Sequence, residues 1–407
     1  MPSRHTAGGT TMRFDADVVI AGAGIGGLTA AASLLQAGYS VRVLEQAPAL
    51  GEVGAGIQTS ANASRVLHSL GLADQLERIG VKPERYRVSL FNTNETLNEF
   101  RLAAAHEEQF GYPYYLFHRA DLHDILARHV QQLDANCIAL NARVSGFEQD
   151  ADSATAILAD GSTLRGKMLV GADGIKSAVR EQLIGRAPAT FTGDVAWRCT
   201  VPAERMRPDY MDQIVNIWAG PGAHLVVYYI SGGKTINYIA CCEEGEWSEE
   251  SWTLKAPWSE LKQKFTGWHD DVQELLDATD RDECYKWALN NRTPTDIWSD
   301  GRVTLLGDAI HPTLPYMAQG AAMAIEDAAV LRRCIDQNQD IATALRVYQN
   351  SRKSRTARIV TQSTQHGHLY HLSSAEEFHQ AFKGRDLGAD RASWLFSYDP
   401  LTAALEL

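Results

Sequence analysis

The chain has 407 residues, 45% hydrophobic and 22% charged, an ordinary globular balance with length for two or three domains. Its 50 acidic residues outnumber its 38 Lys and Arg, and no basic run stands out, which speaks against a nucleic-acid or anionic-membrane role. The six cysteines (137, 199, 241, 242, 284 and 334) form no CxxC, so neither a zinc knuckle nor a disulfide framework is expected, and a reducing cytoplasm fits.

Residues 1–11 are small and polar, and a start at Met12 behind a disordered extension is expected. Val18 to Leu35 is nearly uncharged. Asp15 and Asp17 at its entry and four glycines in its middle nevertheless make it strand, turn and helix, not a targeting or membrane segment. Ala16–Ala21 reads as a strand, Leu28–Ala37 as a helix and Tyr39–Leu44 as a second strand, together a βαβ unit. Helices follow over Ala61–Leu70 and Leu72–Ile79, split at Gly71, then a hairpin over Tyr86–Phe100. Arg119–Leu133 is an amphipathic helix, and Cys137–Ala142, Ala154–Leu158 and Lys167–Ala172 are strands.

From about 190 to 285 the pattern becomes strand-rich, with Val195–Val201, Gln213–Trp218, Ala223–Ile230 and Thr235–Cys241, the last two joined at Gly232-Gly233. Trp258–Phe265 and Val272–Ala278 are helices; Gly301–Leu306 is a strand and Ala318–Gln337 a long helix. The fold expected is α/β. A Rossmann-like nucleotide domain (13–75, 101–190 and 285–350) is interrupted by an antiparallel β-sheet substrate domain (76–100 and 191–284), and 351–407 form a C-terminal helical segment.

Gly22-Ala23-Gly24-Ile25-Gly26-Gly27 satisfies GxGxxG between strand and helix. Gly22 permits the tight turn, Gly24 lets the backbone approach a pyrophosphate, and Gly27 allows close helix–strand packing. The pyrophosphate would sit on N–H groups at the helix start, Ile25 and Gly26 included. Glu45, followed by Gln46, ends the next strand, where a carboxylate accepts the ribose hydroxyls of an adenosine. The motif leaves NAD and FAD open.

Two later segments decide between them: Leu169 to Arg180, containing Asp173-Gly174, and Leu305 to Gly320, containing Gly307-Asp308 and Pro315-Tyr316, followed by Ala324-Ile325-Glu326-Asp327-Ala328. With these motifs in this order, the chain resembles the FAD-dependent aromatic hydroxylases, the single-component flavoprotein monooxygenases, over nearly its whole length. Within them it resembles the enzymes for 6-hydroxynicotinate, 3-hydroxybenzoate and salicylate. The resemblance implies that Asp308 holds the ribityl chain of FAD and that Gly320, Ala321 and Ala322 bring N–H groups to the flavin. It implies that Arg119 reaches the FAD phosphates, that Val144 touches the adenine, and that Asp173 belongs to a motif for FAD and NAD(P)H. Taken locally, Asp308 could equally cap a helix, Asp173 could be a turn residue, and Arg119 could pair with Asp121.

On the substrate side, His224 and Tyr228 lie four apart on one strand and so share a face. They match the G-P-x-x-H-x-x-x-Y pattern of the resembled enzymes, which makes them candidates to relay the phenol proton or to hold the oxyanion. The bland alternative is two half-buried sheet residues. Gln58, Pro315 and Tyr316 would flank the ring near the flavin, and Arg198 would face a carboxylate or stack on Trp197. The 6-hydroxynicotinate pattern has His at the places of Gln58 and Tyr316, and the 3-hydroxybenzoate pattern favours Gln at Pro315, so the acid itself stays open. The spacing of His366, His368 and His371 does not suit a metal, and none is expected.

The activity implied is hydroxylation of a small hydroxylated aromatic carboxylic acid through a flavin C4a-hydroperoxide, in aromatic catabolism. There is no second GxGxxG, so NADH or NADPH would bind transiently in a groove as electron donor, with O2 as co-substrate. A cytoplasmic monomer or homodimer, without nucleic-acid or membrane partners, is expected. An FAD oxidoreductase without oxygen insertion and a non-catalytic flavin-binding sensor are the alternatives.

Overall fold

The computed structural model describes residues 14–51, 56–186, 189–245 and 254–407. The extension expected at residues 1–11 and the start expected at Met12 lie outside them. Strand Ala16–Ala21 lies between Val41–Leu44 and Thr163–Gly171, parallel to both. Parallel neighbours Ile138–Ala139 and Val303–Leu305 extend this sheet on either side. Among the described residues it has eight strands. The central strands are continuous apolar runs because helices cover them. Helix Ile25–Gln36 is buried at Ile25 and from Gly27 to Leu34, between this sheet and helix Gly320–Gln337. That helix begins at Ile25 rather than Leu28, because Gly26 and Gly27 serve packing inside its first turn, against their low helix propensity.

The second sheet runs in the order Tyr285–Asn291, Thr190–Pro202, Thr235–Glu243, Ala223–Ile230, Val215–Gly220, Arg85–Leu90, Thr96–Arg101. Its pairs are antiparallel except Val215–Gly220 against Arg85–Leu90, two strands between which the chain passes through the first sheet. One face packs on helices Trp258–Lys264 and Asp270–Ala278; the other meets the C-terminal helices and the segment around Leu314 and Tyr316.

Two expected boundaries need correction. Strand Tyr285–Asn291 pairs with Thr190–Pro202, so the strand-rich segment closes at 291, not 284. The boundary at 350 falls inside helix Ile341–Tyr370, whose 30 residues span about 45 Å and tie the two sheets together. This helix starts at Asp340, whose side chain accepts from Thr343 N–H at 2.9 Å. Among the described residues no helix is long and apolar enough to cross a membrane.

A buried ion cluster fixes the junction. Arg352 donates to Asp327 and Glu326, each at 2.7 Å, and Arg355 donates to Glu326 at 2.7 Å. His311 meets Asp327 at 2.6 Å, and Asn62 donates to Glu326 at 2.6 Å. Burial raises both carboxyls, but the surrounding cations more than reverse it and hold them below their ordinary values. Asp327 also accepts from Gly307 N–H at 3.1 Å, which locks the turn presenting Asp308.

Candidate active site

The glycine turn shows why each glycine stands where it does. Gly22 has φ +101°, and a Cβ there would lie 2.8 Å from the Ala172 carbonyl carbon. A Cβ on Gly26 would lie 2.6 Å from Leu306 Cδ2, and one on Gly27 would enter the Gly22 carbonyl oxygen. Gly24 differs: nothing stands within 4 Å of a Cβ there, and it faces an open cleft. It is also the N-cap of its helix, without a side-chain cap, so the helix start is left for an anion.

The cleft has a volume of about 310 Å³. Gly24, Ile25, Gly26 and Gly27 line one end, with Arg119 and Gly174. Asp308, Gly320 and Ala321 line the middle, and the N-terminus of helix Gly320–Gln337 opens there without a side-chain cap. Gln58, Pro315, Tyr316, His224 and Tyr228 line the far end. The structure thus brings together most of the residues singled out from sequence, across three sheets.

Others stand elsewhere. Glu45 is half-buried behind the turn, its two oxygens accepting from Ala23 N–H at 2.8 Å and Ala47 N–H at 2.9 Å. Gln46 is exposed and Val144 is packed in the core, so neither lines the cleft. Ala322 is buried behind Ala321. Asp173 accepts from Ser177 and from the N–H groups of Ala178 (2.8 Å) and Val179 (3.3 Å), capping helix Ala178–Ile184; burial pushes its carboxyl up. Arg198 shares the site-facing side of the sheet, opposite Ile239, but does not line the cleft; its guanidinium lies over Trp287, 5.3 Å from the ring centroid.

His224 and Tyr228 have separate partners. His224 Nδ1 lies 2.7 Å from His371 Nε2, and its ring meets Tyr316 edge-on at 5.1 Å. Burial, then the neighbouring His371, hold His224 well below its ordinary pKa, so it is neutral. The Tyr228 hydroxyl lies against Gly56 and beside Gln58, whose amide oxygen accepts from Tyr114 at 2.6 Å. Burial raises the Tyr228 hydroxyl, and it stays protonated. A single relay joining His224 to Tyr228 is therefore not what the geometry provides.

Sequence reading missed His371 as a partner, and with it Asp194, which accepts from Tyr316 at 2.5 Å. The available signal for Asp194 was its period-two spacing with Ala196 and Arg198, a lone carboxylate on the site-facing side of a buried strand. In the sequence His371 stands out only by its spacing from His366 and His368, and no group of residues that could hold a metal is found among the described residues.

Comparison with known proteins agrees with this geometry. The family described as FAD binding domain matches residues 15–363. The 3-hydroxybenzoate 6-hydroxylase of Polaromonas naphthalenivorans is 36% identical over 391 residues, covering 95% of this chain and 96% of the relative. The 6-hydroxynicotinate 3-monooxygenase of Bordetella bronchiseptica is 36% identical over 346 residues, covering 84% and 89%. The crystal structure of Klebsiella pneumoniae HpxO complexed with FAD and uric acid superposes with a TM-score of 0.81 at 28% identity, over 92% of this chain and 94% of that one.

Proposed function

The chain belongs to the family of FAD-dependent aromatic hydroxylases, and we propose that it hydroxylates a small hydroxylated aromatic carboxylic acid, with NADH or NADPH as electron donor and O2 as co-substrate. One observation carries this reading: a single cleft runs from an uncapped helix start at Gly24 to two neutral, buried proton-handling groups, His224 and Tyr228. The two curated relatives are named for a hydroxybenzoate and a hydroxynicotinate, which supports the substrate class.

The residues fit FAD. The space at Gly24 admits a phosphate that a side chain would displace. When bound, FAD supplies the redox chemistry and the activation of oxygen that no side chain offers. The N–H groups of Ile25 and Gly26 and the charge of Arg119 would hold the pyrophosphate, and Asp308 the ribityl hydroxyls. Glu45, fixed by the turn, would accept from the ribose. The start of helix Gly320–Gln337 presents N–H groups to negative charge developing nearby.

At the far end a phenol must lose its proton to become electron-rich, and a free phenol has a pKa of about 10. His224, neutral and with Nδ1 engaged by His371, offers Nε2 to that proton. Tyr228, protonated, donates to the resulting oxyanion. Pro315, Tyr316 and the buried face of the sheet exclude water. The unpaired state of all six cysteines supports a cytoplasmic setting.

The test is a panel of hydroxybenzoates and hydroxypyridine carboxylates. At least one should stimulate NADH or NADPH oxidation with matching oxygen uptake and gain one oxygen atom by mass. Compounds that perturb the flavin spectrum yet never gain oxygen would overturn the reading in favour of an oxidoreductase or a sensor.

A further inference from the structure

We infer that His371, backed by Asp194 and Glu243, is the outlet through which a proton taken by His224 leaves the closed site. The inference rests on the reading of His224 given above and adds where its proton goes.

His224 is 1% exposed, at the end of the cleft that substrate would fill. Its Nδ1 meets His371 Nε2 at 2.7 Å. On the other side of the His371 ring, Nδ1 lies 3.5 Å from Glu243 Oε1 and 3.8 Å from Asp194 Oδ1, distances that a small side-chain shift or one water completes. Exposure rises along this path, with side-chain values of 4% at His371, 15% at Asp194 and 62% at Glu243. The fold builds the path from three places. His224 lies on strand Ala223–Ile230, and His371 follows the last turn of helix Ile341–Tyr370. Asp194 and Glu243 face each other across two paired strands. The other ionisable groups around the pair are His368 beside His371, Tyr370, whose ring lies 5.3 Å from that of His224, Cys241, opposite His224 on the paired strand, and Tyr316, whose hydroxyl donates to Asp194. Packing alone does not call for two buried imidazoles joined nitrogen to nitrogen with carboxylates at the open end.

Each transfer balances without moving an electron. The substrate O–H bond breaks as His224 Nε2–H forms. His224 Nδ1–H breaks as His371 Nε2–H forms. His371 Nδ1–H breaks, and a carboxylate takes the proton and passes it to water. One proton returned along the same path restores both tautomers. Burial holds His371 down at about 4, so it passes the proton on rather than keeping it.

The experiment uses the FAD-loaded enzyme without NAD(P)H. It is mixed in weak buffer with 3-hydroxybenzoate, salicylate or 6-hydroxynicotinate. Flavin absorbance reads binding, and a pH-indicator dye reads proton release. In the wild type, release should accompany binding. His371→Gln keeps a hydrogen-bond acceptor for His224 but has no second basic nitrogen. It should bind as the wild type does and release the proton about 100-fold more slowly. Undiminished release in this variant overturns the outlet. Should His371→Gln fail to load FAD, the double variant Asp194→Asn/Glu243→Gln decides, and unaltered release there overturns the proposal. Binding without proton release in the wild type overturns the His224 reading instead, and failure of every compound to bind overturns the substrate class.

Discussion

Replacing Gly24 by Ala should move stability and cofactor affinity in opposite directions. Gly24 has φ −71° and ψ 178°, a conformation that alanine adopts without strain, and its Cβ would meet nothing within 4 Å. The substitution removes unfolded-state freedom, so the FAD-free chain should gain about 0.4–1 kcal/mol. For a chain of this size that is about 0.5–1 °C in melting temperature. The same methyl group enters the space through which the phosphate approaches. Loss of one charge-assisted hydrogen bond, about 1.5–3 kcal/mol, corresponds to about 10- to 150-fold weaker FAD binding. Gly26→Ala is the contrast, because its Cβ would lie 2.6 Å from Leu306 Cδ2 and 3.0 Å from Ala324 Cβ. These buried neighbours cannot recede, and overpacking of about 1–3 kcal/mol should lower the melting temperature without FAD. The assays are thermal unfolding of the FAD-free protein and FAD titration by quenching of flavin fluorescence. Wild-type FAD affinity in Gly24→Ala, or a loss of stability in its FAD-free form, would refute the reasoning.

Asp308→Ala should leave a folded chain with FAD occupancy reduced at least tenfold, since Asp308 is exposed on the cleft; normal occupancy after gel filtration would count against its role. Tyr228→Phe and His224→Ala should each slow hydroxylation by about 100-fold and lower the product formed per NAD(P)H consumed. Because the two have separate partners, their losses should add in the double variant, and a double variant no worse than either single one would restore a joint relay. Burial depresses His106 to about 3 and His366 and His371 to about 4, against an ordinary value of 6.5, so the unfolded chain takes up their protons first. Their contribution to stability is full above pH 6.5 and is lost as pH falls toward 4; a urea midpoint unchanged over that range would contradict their burial as neutral groups.

The parts of this protein that were legible in sequence are those where backbone geometry dictates the residue. The four glycines between Ala21 and Leu28, the turn at Gly307-Asp308 and the opening of a helix at Gly320 each report a local constraint. Strand Tyr285–Asn291 was obscured because Lys286 is buried within it, paired with Glu260 and lying over Trp197, so the apolar alternation is broken by a charge that tertiary contacts satisfy. The partners of the site were obscured for a different reason. His224 and His371 are 147 residues apart, and Gln58 and Tyr114 meet only because Gly56–Thr59 pairs with Tyr115–His118. The sheet's side of the cleft is a matter of register: Tyr228 stands opposite Asn237, Val226 opposite Ile239 and His224 opposite Cys241. A slip of one residue in strand Ala223–Ile230 would turn His224, Val226 and Tyr228 away from the cleft while leaving every local propensity unchanged. The long helix that carries Arg352 and Arg355 at its middle and His371 at its end guards against that slip. It is anchored to the FAD-binding half by the ion cluster and to the sheet by His371, so it fixes the position of the cleft-lining residues of the sheet relative to Asp308 and Gly320.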